Sequence, residues 1–281
     1  MTNGRYRVGV IGDPVAHSIS PAMQQPALDA LGIPATFELW HTPAAELPAR
    51  IASLREPDAL GANVTVPHKL AVMEHIDEIT PLARRAGAVN VVVNRDGHLF
   101  GDNTDVHGFA VSLEAACPNA RVRPALVLGA GGAARAVVLA LEAMGVTSIA
   151  LANRNVERAT RLAADLAPTP LRVVGTDERS LAAELHRAAI LVNATSLGWH
   201  PGETPVPLDL LRVLARNVIV VDLTYRDTDL LTAARARGLA TLDGLAMLVY
   251  QGARALELWT GKEAPVAVMM EAAQRARAAR A

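Results

Sequence analysis

Lysine is almost absent from this chain. Of its 27 lysines and arginines only Lys69 and Lys262 are lysine. Arginine supplies a permanent positive charge, whereas an ammonium can also give up its proton. Lys69 closes the run Gly61-Ala62-Asn63-Val64-Thr65-Val66-Pro67-His68-Lys69. Asn63 and Thr65 stand two apart there, so a strand would show both on one face. A helix around His68–His75 would set the Lys69 ammonium at the positive end of its macrodipole, which disfavours the charged form and favours proton exchange. Asp105 ends Gly101-Asp102-Asn103-Thr104-Asp105. It is either a first-turn carboxylate of the next helix or an acid at a domain junction, where clefts form. Ser18 and Ser20 flank the start of a helix opened by Pro21, and hydroxyls beside free N–H groups suit a carboxylate. Asn90 ends a further apolar run.

A second group of residues suits a dinucleotide. Gly129-Ala130-Gly131-Gly132-Ala133-Ala134 fits G-x-G-x-x-A, follows the apolar run Ala125–Leu128 and opens a long helical segment. The glycines permit a tight turn and close approach of backbone to pyrophosphate, and the helix start offers free N–H groups. About 20 residues on, an acid would bind the ribose 2′-hydroxyl of NAD. That place holds Asn153-Arg154-Asn155, with Arg158 one turn later and no carboxylate before Glu157. Two arginines can clamp a 2′-phosphate with charge-assisted forks, so the expected cofactor is NADP. The eight histidines show no spacing of metal-ligand type, and no metal is expected.

These groups must be carried by alternating strands and helices. Short β-branched runs alternate with Ala/Leu-rich runs, the pattern of βαβ units and parallel sheets. In the first part, strands are expected at Tyr6–Ile11, Thr36–His41 and Gly61–Val66. Helices are expected at Ser20–Leu31, capped by Ser20, and at Ala44–Leu54 and His68–His75. A hairpin of Ala88–Asn94 with His98–Gly101 turns at Asp96-Gly97, and a helix follows to Ala116. The polar stretch Pro118–Pro124 reads as a seam. Beyond it, strands are expected at Ala125–Leu128, Thr147–Ala152, Leu171–Val174, Ala189–Asn193 and Val218–Asp222. The intervening helices are Gly131–Met144, Val156–Leu166, Leu181–Arg187 and Leu230–Arg237. Two last helices, Leu245–Trp259 and Pro265–Ala279, could pack back on the first part. With 281 residues, 51% of them hydrophobic, the chain can bury two modest cores. A net charge of −1 argues against nucleic acid or an anionic membrane as partner. Met1-Thr2-Asn3-Gly4-Arg5 contains no apolar signal core, and Cys117 is the one cysteine, so a cytoplasmic protein is expected.

Taken together, the motifs resemble shikimate dehydrogenase. They are His17-Ser18-Ile19-Ser20-Pro21, Asn63 through Lys69, Gly87-Ala88-Val89-Asn90, Asn103-Thr104-Asp105, and Gly129 through Ala134 with Asn153-Arg154. Asn193-Ala194-Thr195-Ser196-Leu197-Gly198 and Asp243-Gly244-Leu245-Ala246-Met247-Leu248 with Gln251 extend the match. The resemblance implies an α/β fold of two domains. Residues 1–105 with 246–281 would form a substrate domain with a mostly parallel sheet, and 106–245 an inserted Rossmann domain for NADP. It also implies reversible NADPH-dependent reduction of 3-dehydroshikimate to shikimate, a step of aromatic amino-acid biosynthesis. Lys69 and Asp105 would be the catalytic pair, and Ser18 and Ser20 would hold the substrate carboxylate. Asn63, Thr65, Asn90 and Gln251 would orient ring hydroxyls, with Tyr225 near the carboxylate. Thr195, Ser196 and Gly244 would join the cofactor set.

Several positions depart from the family pattern. Gln24-Gln25 replace a usual His-Asn and are expected to alter packing near the substrate entrance. Val91, Val106 and Asn155 replace threonine, glycine and threonine. An NAD-dependent quinate/shikimate dehydrogenase is the near alternative, opposed by Ser20 and Arg154. A non-catalytic NADP-sensing module is opposed by an intact Lys69 and Asp105. A small-molecule substrate and a monomer or homodimer complete the expectation.

Overall fold

A computed structural model describes residues 6–120, 123–146 and 148–280. It divides into two compact units, Met1–Gly108 with Val249–Ala281, and Phe109–Leu248. In chain order the elements begin β1 (Tyr6–Gly12), α1 (Ser20–Ala30), β2 (Ala35–His41), α2 (Leu47–Ala52), β3 (Ala59–Val64) and β4 (Glu78–Ile79). They continue α3 (Pro81–Ala86), β5 (Val91–Arg95), β6 (His98–Asp102) and α4 (Asp105–Ala116). Next come β7 (Ala125–Leu128), α5 (Gly132–Ala143), β8 (Ile149–Ala152), α6 (Val156–Asp165), β9 (Leu171–Val174), α7 (Glu178–Arg187) and β10 (Ile190–Asn193). Then follow β11 (Ile219–Asp222), α8 (Asp229–Ala236), β12 (Ala240–Leu242), α9 (Leu245–Thr260) and α10 (Val266–Ala278).

The first unit holds a sheet in the order β2-β1-β3-β5-β6-β4. β1 is parallel to β2 and β3, β5 is antiparallel to β3 and β6, and β4 is parallel to β6. The register puts Asn63 beside Val10 on one neighbour and Val91 on the other, near the carboxyl end of β3. One core cluster joins Ile11, Trp40, Ile51, Leu54, Val64, Val92 and Leu99.

The second unit is a fully parallel sheet in the order β12-β11-β10-β7-β8-β9. All residues of β7, β8, β10 and β11 are buried, as expected of strands covered on both faces. Chain progression reverses at β7, between β10 and β8. In open α/β sheets ligands bind at the carboxyl ends of strands at such a switch point. Leu128, Ala152 and Asn193, the last residues of these three strands, are in register there.

The α/β class and both sheets follow the expected alternation, with local differences. The helix expected over Ala44–Leu54 is an α-helix only at Leu47–Ala52, with 3-10 turns at Ala44–Glu46 and Ser53–Arg55. Pro48 cannot donate a backbone hydrogen bond, so the α-helix restarts around it. The helix expected at His68–His75 is a turn followed by a 3-10 helix at Ala71–His75. His68 O still accepts from Val72 N–H at 2.9 Å, but the Lys69 carbonyl is used elsewhere, taken by Val89 N–H at 2.8 Å. Ser20 is the first residue of α1 and Ile19 its cap, without a side-chain capping bond. Short α3, β4 and β12 escaped the sequence reading, although Thr80 caps α3 and Gly87 ends it in the left-handed region. The hairpin turn falls at Asp96 and Gly97 as expected, with φ of 54° and 85°. The division between units falls inside α4, ahead of Pro118–Pro124; Arg121, Val122 and Thr147 lie outside the described residues. No helix among the described residues is long and apolar enough to cross a membrane.

Candidate active site

Lys69 and Asp105 meet. The ammonium Nζ donates to Asp105 Oδ2 at 2.6 Å, with side chains 18% and 9% exposed. Lys69 reaches this point from the turn after β3, not from a helix start, so the expected macrodipole effect on it falls away. Its neighbour there is instead the Asp105 carboxylate. Asp105 opens α4 and is oriented from three sides. Its Oδ1 accepts from Asn90 Nδ2 at 2.8 Å, its backbone N–H donates to Asn103 Oδ1 at 3.1 Å, and its Oδ2 takes the lysine. Asn90 is held in turn, because its Oδ1 accepts from Thr104 N–H at 2.7 Å. Asn103 Nδ2 donates to Ala88 O at 2.9 Å. Asn103 and Thr104 therefore aim the pair, a task that their motif does not separate from capping α4. His68, buried beside Lys69, pins the same turn through Nε2 to Thr42 O at 2.6 Å. His107 lies two residues past Asp105. Burial, then the Arg254 guanidinium, holds its imidazole below the usual range, with Glu257 opposing.

Around this pair the first unit gathers most of the expected substrate groups. Gln251 Oε1 accepts from Asn90 Nδ2 at 3.4 Å. Asn63 Nδ2 donates to Asn90 O at 3.4 Å, while the buried Asn63 Oδ1 has no partner among the described residues. A buried acceptor without a donor is unfavourable until something supplies one. Thr65 directly follows β3, with Asn63 on its face. Ser18 Oγ donates to Ser20 Oγ at 3.0 Å and accepts from Ser20 N–H at 3.2 Å. The two hydroxyls are thus joined at the head of α1. Gln25 ties α1 to β2, donating to Ala35 O at 3.1 Å and accepting from Phe37 N–H at 2.8 Å. Gln24 lies buried inside the unit, so that half of the Gln24-Gln25 departure acts on internal packing. Tyr225 belongs to the second unit, where its ring meets Trp199 edge-on at 5.2 Å.

In the second unit the turn after β7 is built for close approach. Gly129 has φ +113°, and a Cβ there would lie 2.8 Å from Ala194 O. Gly131 caps α5 without a side chain, so the N–H groups that open α5 from Gly132 through Ala134 face no capping oxygen. At the end of β8, Asn153 Nδ2 donates to Asn155 O at 2.7 Å, and Asn155 Oδ1 caps α6 by accepting from Arg158 N–H at 2.8 Å. Asn155 thus serves the helix start. Arg158 Nε donates to Ala130 O at 3.0 Å and braces the glycine turn. Arg154 is exposed and makes no polar side-chain contact among the described residues. An open helix start, a glycine turn and a free guanidinium next to a braced one fit a dinucleotide carrying an extra phosphate. Thr195 Oγ1 donates to Asn193 Oδ1 at 2.7 Å and accepts from Leu197 N–H at 3.1 Å, shaping the turn after β10. Ser196 in that turn is exposed. Gly244 precedes α9, where a Cβ would lie 2.0 Å from Leu223 O.

Three family profiles match the chain. They are the shikimate dehydrogenase substrate binding domain over residues 10–92, shikimate/quinate 5-dehydrogenase over 113–200, and the shikimate 5′-dehydrogenase C-terminal domain over 244–274. The shikimate dehydrogenase (NADP(+)) of Symbiobacterium thermophilum is 47% identical over 272 residues, covering 95% of this chain and 92% of that protein. The shikimate 5-dehydrogenase of Thermus thermophilus, solved in complex with NADP(H) and shikimate, superposes with a TM-score of 0.87. It is 42% identical, with 96% of this chain and 99% of that one covered. Quinate dehydrogenase from Corynebacterium glutamicum in complex with NAD gives a TM-score of 0.87 at 34% identity, covering 96% and 99%. Matched along nearly its whole length in sequence and in fold, this chain belongs to the shikimate dehydrogenase family.

Proposed function

We propose that the chain is an NADP-dependent oxidoreductase that interconverts 3-dehydroshikimate and shikimate, serving aromatic amino-acid biosynthesis. The observation that carries this reading is the Lys69–Asp105 contact of 2.6 Å, clamped by Asn90. NADP, when bound, gives the hydride in one direction and takes it in the other. The remaining work belongs to the side chains. As a ketone is reduced, negative charge grows on its oxygen and a proton must arrive there. Lys69 carries that proton on Nζ, and Asp105 holds the amine in place for the transfer. In the reverse direction the amine takes the hydroxyl proton. Ser18 and Ser20 bind the substrate carboxylate at the head of α1. Asn63, Thr65, Asn90 and Gln251 receive ring hydroxyls, and the unpaired Asn63 Oδ1 supports this by lacking a donor of its own. Tyr225 is a further residue assigned to the substrate carboxylate.

For the dinucleotide, the turn Gly129 through Ala134 takes the pyrophosphate on the α5 N–H groups. Arg154 and Arg158, with Asn153 beside them, hold the 2′-phosphate. Thr195, Ser196 and Gly244 line the remaining cofactor surface. The protein acts as a monomer or a homodimer. A single buried free cysteine suits the cytoplasm.

The deciding experiment is steady-state kinetics with shikimate or quinate against NADP⁺ or NAD⁺. The shikimate and NADP⁺ pair is expected to give the highest kcat/KM. Preference for quinate with NAD⁺ would refute the assignment.

A further inference from the structure

Gln24 is fully buried, and its two ends are treated differently. Nε2 donates to Gly252 O at 2.9 Å, whereas Oε1 has no hydrogen-bond partner among the described residues. An apolar side chain of the same length would avoid the unmet acceptor, so what Gln24 contributes lies at its nitrogen. The two helices it joins each carry residues of the proposed substrate site. On α1, Gln24 stands four residues after Ser20 and on the same helix face. On α9, Gly252 is the neighbour of Gln251, whose Oε1 meets Asn90 Nδ2 at 3.4 Å. The approach is close: a Cβ on Gly252 would lie 2.6 Å from Met23 Cε and 3.0 Å from Gln24 Nε2.

We infer that Gln24 is a positioning residue for substrate recognition. By gripping the Gly252 carbonyl it fixes the depth and rotation of α9 against α1. That sets the reach of Gln251 toward a ring hydroxyl relative to the serines that hold the carboxylate. The inference rests on the shikimate reading of Ser20 and Gln251.

The test is Gln24→Met, which keeps length and removes both the donor and the unmet acceptor. The expected result is a KM for shikimate raised about tenfold, the loss of one hydrogen bond's worth of ground-state binding. KM for NADP⁺ and Tm should be unchanged, and kcat should stay within about threefold. Gln24→His, which restores a ring N–H donor, should recover most of the KM. In the double variant Gln24→Met/Gln251→Ala, KM should be no higher than in Gln251→Ala alone, because both changes remove the same contact. A residue that only stabilised the fold would lower Tm and the active fraction and leave KM alone. An unchanged KM in Gln24→Met, or full additivity with Gln251→Ala, overturns the inference. Should Gln24→Met not fold, Gly252→Ala asks the same question by pushing α9 from α1, and an unchanged KM there overturns it too. A wild-type protein that fails to oxidise shikimate removes the proposed function and this inference together. Wild-type turnover with an unmoved KM in the variants removes the inference alone.

Discussion

Replacing Lys69 by alanine separates chemistry from binding and folding. A positioned proton donor is worth about 10²–10⁴ in rate, or about 3–5 kcal/mol of barrier. The structural cost is smaller than for an ordinary broken buried pair, which is about 3–5 kcal/mol. Asp105 would keep its bond from Asn90 Nδ2 at 2.8 Å and its place in the first turn of α4. A carboxylate at a helix start gains about 0.3–1 kcal/mol from the dipole, and the partly exposed site can admit water. A net destabilisation of about 1–3 kcal/mol is therefore expected, the range for a polar group left short of one partner. At about 2–4 °C per kcal/mol for a protein approaching this size, Tm should drop by several degrees without preventing folding at 25 °C. The groups proposed to hold the dinucleotide belong to the other unit, so NADPH affinity, followed by fluorescence titration, should be preserved. Turnover, followed as NADPH formation from shikimate, should fall at least about 100-fold. A folded Lys69→Ala protein with kcat within about threefold of wild type would refute the proton-donor role, since no such donor is worth so little.

Three further outcomes follow from other contacts. Arg154→Ala removes a guanidinium with no polar partner among the described residues, so KM for NADP⁺ should rise about 10–100-fold while KM for NAD⁺ stays level. Gly129→Ala must fit a Cβ 2.8 Å from Ala194 O at φ +113°, a strain of about 1–3 kcal/mol that differential scanning calorimetry should show as a lowered Tm, with NADPH binding weakened. The Asp77 carboxyl is held down at about 2, below the usual carboxylate range, first by the Arg55 hydrogen bond and then by Leu99 N–H. A depressed carboxylate stabilises the fold above its unfolded value and loses that stabilisation as pH falls through the folded one. The Tm gap between wild type and Asp77→Asn should thus be full above about pH 4 and close toward about pH 2; a gap that widens on acidification would contradict the assignment.

Local chemistry was readable along the chain wherever one short segment contains the whole cause. Gly129 through Ala134 dictates a strand-to-helix turn by backbone freedom alone, and the buried runs of β7, β8, β10 and β11 announce a covered parallel sheet. Asp96-Gly97 announces its hairpin by tolerance of positive φ. Weaker local signals were overridden. The Lys69 segment has helix-compatible residues, yet Val89 takes the Lys69 carbonyl and His68 anchors the turn to Thr42. Once partners from other strands compete for those backbone groups, propensity no longer decides.

The residue types and spacings therefore determined the fold class, the dinucleotide turn, the absence of a 2′-hydroxyl acid and the candidates for proton transfer. Only the folded chain decided which candidates meet. Lys69 finds Asp105 across 36 positions, Asn90 reaches Gln251 across 161, and Gln24 grips Gly252 across 228. Contacts of that span carry no periodicity in the sequence. They arise because burying the strands and helices of a whole core selects one packing, and that packing brings side chains from distant segments within bonding distance.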